Sequence, residues 1–177
     1  MSRLLTMTNA QKILDFLCQQ PGEQFLAVEI QTALKISKGG VSISLRELAK
    51  EKLVNRLLKG NAYLYSVAPG EPGIKQFKVL KNVLALEPLV SRLKPLSKKI
   101  VLFGSSARGE DSLKSDTDLC VITNNPQQVE GILKKNRSQR KLQVIIRSPV
   151  QFVEMEKRDP VFWSEVAKGI VLWEGRE

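Results

Sequence analysis

Apolar residues recur at helical spacing along the first half of the chain. Ile13, Leu14, Phe16 and Leu17 form one such set, with Asn9 placed to cap it and Pro21-Gly22 to end it. A second short helix is expected over Ala27–Leu34, where Ile30 and Leu34 stand four apart. Ser37 can cap a third, about Lys38 to Glu51, whose stripe is Val41, Leu45, Leu48 and Ala49. The period then drops towards two. Leu53–Leu58 and Tyr63–Val67 read as strands joined by Lys59-Gly60-Asn61, and Gly60 and Asn61 tolerate the positive φ of a hairpin turn.

The second half begins with a helix over about Ile74–Leu93, carrying Phe77, Leu80, Val83, Leu84 and Leu86 as its apolar stripe. Pro88 lies inside it and predicts a kink or break. Buried-type strands follow at Lys98–Phe103 and Leu119–Ile122, then a helix at Pro126–Leu133 and a strand at Lys141–Arg147. The chain closes with a helix containing Val153-Glu154-Met155-Glu156, a helix over Pro160–Ala167, and a short strand, Gly169–Trp173. Phe162, Trp163 and Trp173 are most simply core. Ala68-Pro69-Gly70-Glu71-Pro72-Gly73 breaks helix and strand alike, and the domain boundary is placed there. The expected division is residues 1–68, a linker and connecting helix over 69–93, and a second domain over 94–177. The helix is expected to pack on both. The fold class is α+β.

Composition narrows what these domains can do. The chain has 177 residues and a formal net charge of +10. Residues 1–75 carry 10 Lys/Arg against 6 Asp/Glu, and residues 76–177 carry 18 against 12, so the basicity is not confined to one tail. Such an excess favours acidic partners: nucleic acid, nucleotide phosphates or anionic lipid. Histidine is absent, which excludes His-based zinc sites, Ser-His-Asp triads and an imidazole base. Cys18 and Cys120 sit beside apolar residues and make no disulfide framework. No apolar run approaches the roughly 20 residues that span a bilayer, and no signal-peptide pattern opens the chain, so a cytoplasmic protein is expected.

Three helices followed by a hairpin with a basic tip resemble the winged helix-turn-helix family, over about residues 8–67. The resemblance implies that the third helix enters a major groove and the wing lies along the backbone. Opposite the apolar stripe stand Lys38, Gly39, Ser42 and Arg46, the candidates for base edges or phosphates, with Arg56 and Lys59 offered from the wing. A solvated helix face, or a protein-docking module, would look the same in sequence. Symmetric dimers are common among such DNA-binding modules.

The stretch that carries chemistry is Phe103 to Leu119, FGSSARGEDSLKSDTDL. A strand ends at Gly104-Ser105-Ser106, where glycine allows a sharp turn and a close phosphate. Asp116 and Asp118 precede and enter the next strand, and positions i and i+2 share a face. Two carboxylates so placed repel one another unless a cation lies between them or one is protonated. Hard oxygen ligands suit Mg²⁺, which takes its remaining ligands from water and substrate phosphate. Glu110, Asp111 and Lys114 between the two halves are expected to be solvated.

Gly-Ser, about ten residues, then Asp-x-Asp resembles the signature of the minimal nucleotidyltransferase domain of the polymerase-beta-like superfamily, over about residues 85–175. The resemblance implies an α/β domain with a mixed sheet. It also implies that Gly104, Ser105 and Ser106 hold the triphosphate of an NTP such as ATP, and that Asp116 and Asp118 are catalytic and bind two Mg²⁺. Arg108 would neutralise phosphate charge.

The family also uses a third carboxylate on a later strand, typically as the base. Here the matching position is Gln143, which carries no charge and cannot take a proton. Lys141, Gln143, Ile145 and Arg147 share a face, so Lys141 or Arg147 could neutralise the aspartates without a metal. Glu154 or Glu156, or a partner chain, could supply the missing acid. The run from Lys134 to Lys141 holds five cations and suits a nucleic-acid or acidic-partner contact, but contains no aromatic for base stacking. Three functions stay open: a transferase moving a nucleoside monophosphate to a hydroxyl; a transcription regulator that retains nucleotide binding; and a partner-binding protein, as such domains resemble the antitoxin half of paired toxin systems.

Overall fold

A computed structural model describes residues 7–68, 70–136 and 140–175. The chain divides into two compact units, Met1–Lys75 and Gln76–Glu177.

In the first unit, α1 (Asn9–Cys18) is capped by Thr8 in a reciprocal capping box with Gln11, so the cap stands one residue before the expected Asn9. Helix α2 covers Ala27–Leu34 and α3 covers Lys38–Lys50, with Ser37 Oγ accepting from the Gly40 amide at 3.2 Å. Ile13, Leu17, Ile30, Val41 and Leu45 meet in a core from which water is excluded. Gly40 fits tightly there: a Cβ would come within 2.9 Å of Asn9 Nδ2 and 3.0 Å of Ile36 Cγ2, so these side chains would have to shift. Strands β2 (Asn55–Lys59) and β3 (Ala62–Ser66) form the hairpin, turning at Gly60 with φ of +61°. The two-residue strand β1 (Phe25–Leu26) has no signal in the hydrophobic pattern. It pairs with β3, giving an antiparallel sheet of order β1-β3-β2. Two residues are too few to show an alternating pattern, and Phe25 is held from the side by an edge contact with Phe16 at 4.9 Å. Helices and sheet together make a winged helix.

In the second unit, β4 (Lys99–Phe103), β5 (Thr117–Ile122), β6 (Leu142–Arg147) and β7 (Ile170–Glu174) form a mixed sheet of order β6-β5-β4-β7. Only β5 and β6 run parallel, and α6 (Pro126–Lys134) is the crossover their direction demands. Ile100, Leu102, Leu119 and Val121 pack on one face against Val129 of α6 and against Leu86, Leu89, Val90 and Leu93 of α4 (Pro72–Leu93). Val101, Phe103, Cys120 and Ile122 pack on the other against Met155 of α7 (Pro149–Arg158) and Val166 of α8 (Pro160–Ala167). Phe162, Trp163 and Trp173 are half-buried against these clusters, as a core reading requires.

Helix α4 departs from its sequence reading in two ways. It runs unbroken through Pro88. Its buried face keeps Val83 and Leu86 of the expected stripe but not Leu80, which is 58% exposed, while Lys78 and Asn82 are buried. Leu86 and Leu89 are the anticipated kind of contact, but two polar residues occupy core positions one turn apart.

Candidate functional site

The site lies where β4 ends and β5 begins. Phe103 is the register partner of Asp118, so the next residue, Gly104, turns directly beside that carboxylate. Gly104 has φ of +70°, and a Cβ there would fall inside the van der Waals envelope of Asp118 Oδ2. The short helix α5 (Gly104–Arg108) follows and ends at Gly109, also left-handed at φ +67°. Asp116 stands just ahead of β5 and Asp118 inside it. Burial, and next the charge of Asp116, raise the Asp118 carboxyl above its ordinary range, with Arg108 partly opposing.

Ser105 is half-buried, and Ser106 is fully buried. The Ser106 carbonyl accepts from Asn82 Nδ2 at 3.0 Å, and its hydroxyl lies 3.5 Å from the Asp116 carbonyl. Ser106 thereby ties α5 to the aspartate strand from inside. Arg108 is engaged by Glu110 at 2.9 Å and by Glu165 of α8 at 2.8 Å. These carboxylates hold its guanidinium above its ordinary range. A cavity of about 180 Å³ opens here, lined by Gly104, Ala107, Arg108, Glu165, Lys168 and Gly169.

Asp111 overturns its sequence reading. It is 1% exposed, not solvated. Asn82 Nδ2 donates to its Oδ1 at 3.0 Å, Lys78 Nζ stands 3.8 Å from Oδ1, and Arg140 Nη1 meets Oδ2 at 2.5 Å. Lys78 also donates to the Asp111 carbonyl. The detectable signal was Ile74, Lys78, Asn82 and Leu86 at intervals of four, which puts two polar groups on one buried helical stripe.

Across β6, Gln143 is the register partner of Asp118, where a third acid would stand, and its side chain is exposed. Lys141 Nζ reaches Asp116 Oδ2 at 3.1 Å. Arg147 does not reach either aspartate. It is the partner of Ile122, four residues further along the strand or roughly 13 Å away at the usual rise per residue. Glu154 pairs with Arg158 at 3.1 Å and lines a cavity with Arg147, so it does not replace the missing acid. Burial pushes the Cys120 thiol up to about 11, with Arg147 pulling slightly the other way, and leaves it unreactive at neutral pH. Among the described residues no group of three or more His, Cys, Asp or Glu side chains is placed to hold a metal. Within the basic run, Arg137, Ser138 and Gln139 lie outside the described residues.

In the first unit Lys38, Gly39, Ser42 and Arg46 share the exposed face of α3, opposite Val41, Leu45 and Leu48. Ile43, 56% exposed, stands among them. Arg56 and Lys59 are exposed on β2, and the Arg56 guanidinium lies 3.4 Å over the Tyr63 ring. No helix among the described residues is long and apolar enough to cross a membrane.

Residues 91–177 match the family model described as Polymerase beta, Nucleotidyltransferase. No curated protein matches the chain. Among solved structures, a multiple antibiotic resistance repressor, MarR, is 24% identical with a TM-score of 0.40, over 52% of this chain and 69% of that one. A candidate nucleotidyltransferase from Sulfolobus solfataricus is 16% identical with a TM-score of 0.40, over 59% of this chain and 91% of its own. A protein of Pyrobaculum spherical virus is 18% identical with a TM-score of 0.31, over 78% and 79%. At these TM-scores none of the three fixes a function.

Proposed function

We propose that this chain, whose residues 91–177 match the polymerase beta nucleotidyltransferase model, is a DNA-binding regulator that holds an NTP and Mg²⁺ in that region and transfers nucleotide slowly or not at all. The observation that carries the reading is the pairing of Asp118 with Gln143 across β5 and β6. Asp116 and Asp118 supply two hard, mutually repelling carboxylates, which suit an ion that completes its shell with phosphate and water. The closeness of Gly104 to Asp118 supports the same fit, because it leaves room beside the carboxylate where a side chain would intrude.

In this reading Asp116 and Asp118 bind the ion, and Gly104 and Ser105 take the phosphates. Arg108 meets phosphate by exchanging a carboxylate partner for it. The ion supplies charge neutralisation. What the chain does not supply is a base: an amide at Gln143 cannot accept the proton of an attacking hydroxyl, and loss of a general base costs roughly 10²–10⁴ in rate. DNA is met by Lys38, Gly39, Ser42 and Arg46 on α3 and by Arg56 and Lys59 on the wing, all exposed and mostly cationic. The second reading, a working transferase acting on a protein hydroxyl, is favoured by the undivided Gly104-Ser105 to Asp116-x-Asp118 motif.

Isothermal titration of ATP with Mg²⁺ into the native chain and into Asp116→Ala/Asp118→Ala separates these claims from a bare scaffold. Binding heat in the native chain and none in the double variant is expected. Equal heats would mean that the aspartates do not handle nucleotide.

A further inference from the structure

Lys141 is the cation that pairs with Asp116, and its backbone is held there from two sides. Thr117, the residue between the two acids, donates its amide to the Lys141 carbonyl at 2.9 Å. The preceding residue, Arg140, is tied to the Asp111 carboxylate, which is 1% exposed and so cannot drift. Between these two anchors the Lys141 ammonium meets Asp116 Oδ2 at 3.1 Å. The side chain is 79% exposed, and an exposed ion pair taken alone is weak. The two backbone anchors fix where this side chain starts and so keep its charge within reach of the site.

The opposite strand position adds nothing negative. Gln143, beside Asp118, is neutral. Two divalent ions placed roughly 3.5–4 Å apart to clamp attacking and leaving oxygens need dense negative charge around them. Here the Lys141 ammonium offsets the charge of Asp116, and Arg108 acts on Asp118, so the pair offers less than its formal two negative charges. We infer that Lys141 stands in for a second divalent ion, so that Asp116 and Asp118 hold one such ion, not two, when nucleotide is bound. This rests on the nucleotide reading above and goes further, by fixing the number of ions at one and assigning that limit to Lys141 together with the neutral Gln143. Lys141 is a positioning residue for charge; it takes no part in bond making.

Electron paramagnetic resonance of free Mn²⁺, titrated into the full chain with equimolar non-hydrolysable ATP, counts the bound ions without recourse to activity. One Mn²⁺ per chain–nucleotide complex is expected. Lys141→Ala should keep that count and bind the ion about two- to fivefold more tightly, as loss of an exposed opposing pair permits. Lys141→Arg should restore the native affinity, and Lys141→Ala/Gln143→Asp should bind two ions. Two Mn²⁺ on the native complex, or unchanged affinity in Lys141→Ala, would overturn the inference and leave nucleotide binding intact. No Mn²⁺ and no nucleotide bound by the native chain would overturn both.

Discussion

Asp118 and Gln143 are register partners on adjacent parallel strands, and the proposed function turns on that pair. One brings a carboxylate whose proton is held more tightly than usual, by burial and by Asp116. The other brings an amide where an acid would complete a transferase. Gln143→Asp is therefore expected to gain function. With labelled NTP and a lysate as the source of acceptor, the variant should label product about 10²–10⁴ times faster than the native chain, the range a general base provides. Equal labelling by both would show that transfer does not depend on this position.

The raised Asp118 carboxyl has a consequence for stability. In the folded chain it binds a proton more readily than in the unfolded chain, so its contribution weakens as pH rises from the ordinary carboxylate value through the folded one. Above that window the charged form is penalised in full. Without divalent ions, Asp118→Asn should raise the melting temperature at neutral pH, and the gain should vanish below about pH 4, where the unfolded carboxyl is also protonated. Mg²⁺ with ATP should stabilise the native chain and leave the variant unmoved. Thermal scans across pH, with and without the ligands, read all of this directly.

Asp111 is expected to matter for folding more than its loop position suggests. Asp111→Asn leaves Lys78 and Arg140 facing an amide in a buried site. Removing one partner of such a network costs about 3–5 kcal/mol. The value here should fall towards the low end, because the Asp111 carbonyl still accepts from Lys78 and Arg140 is partly exposed. Calorimetry should show the second unit's melting transition lowered on the order of 10–20 °C.

These residues also show where the sequence was legible and where it was not. Periodicity located α2, α3, α8 and the strands of the mixed sheet nearly to the residue, because each buries one face or both. The Gly104 and Asp116-x-Asp118 corner was legible because its spacing is a local property of a strand, a turn and a strand. Asp111 was not. Nothing in a polar loop says which carboxylate folds inward, since its partners Lys78, Asn82 and Arg140 lie 29 to 33 residues away in sequence. Pro88 misled for a similar reason. Local preference predicts a break, yet Leu86, Leu89 and Val90 bury the helix on either side of it. The Lys141 contact with Asp116 was one of two options in sequence. Register chose between them by setting Arg147 beside Ile122.

The proposed DNA surface makes a separate prediction. Binding of duplex DNA should fall steeply with salt, as cations compete for phosphate. Lys38→Ala/Arg46→Ala should weaken binding and reduce the slope of log affinity against log salt by about two, one for each lost phosphate contact. A salt series by fluorescence anisotropy measures it. A flat series in the native chain would leave the exposed faces of α3 and the wing as a protein-docking surface.

The most direct test is a crystal structure of the chain grown with Mg²⁺ and a non-hydrolysable NTP. Density for a divalent ion touching both Asp116 and Asp118, with phosphate beside Gly104 and Ser105, is the expected result. Nucleotide bound elsewhere, or Asp116 still held by Lys141 with no ion beside either acid, would contradict the account.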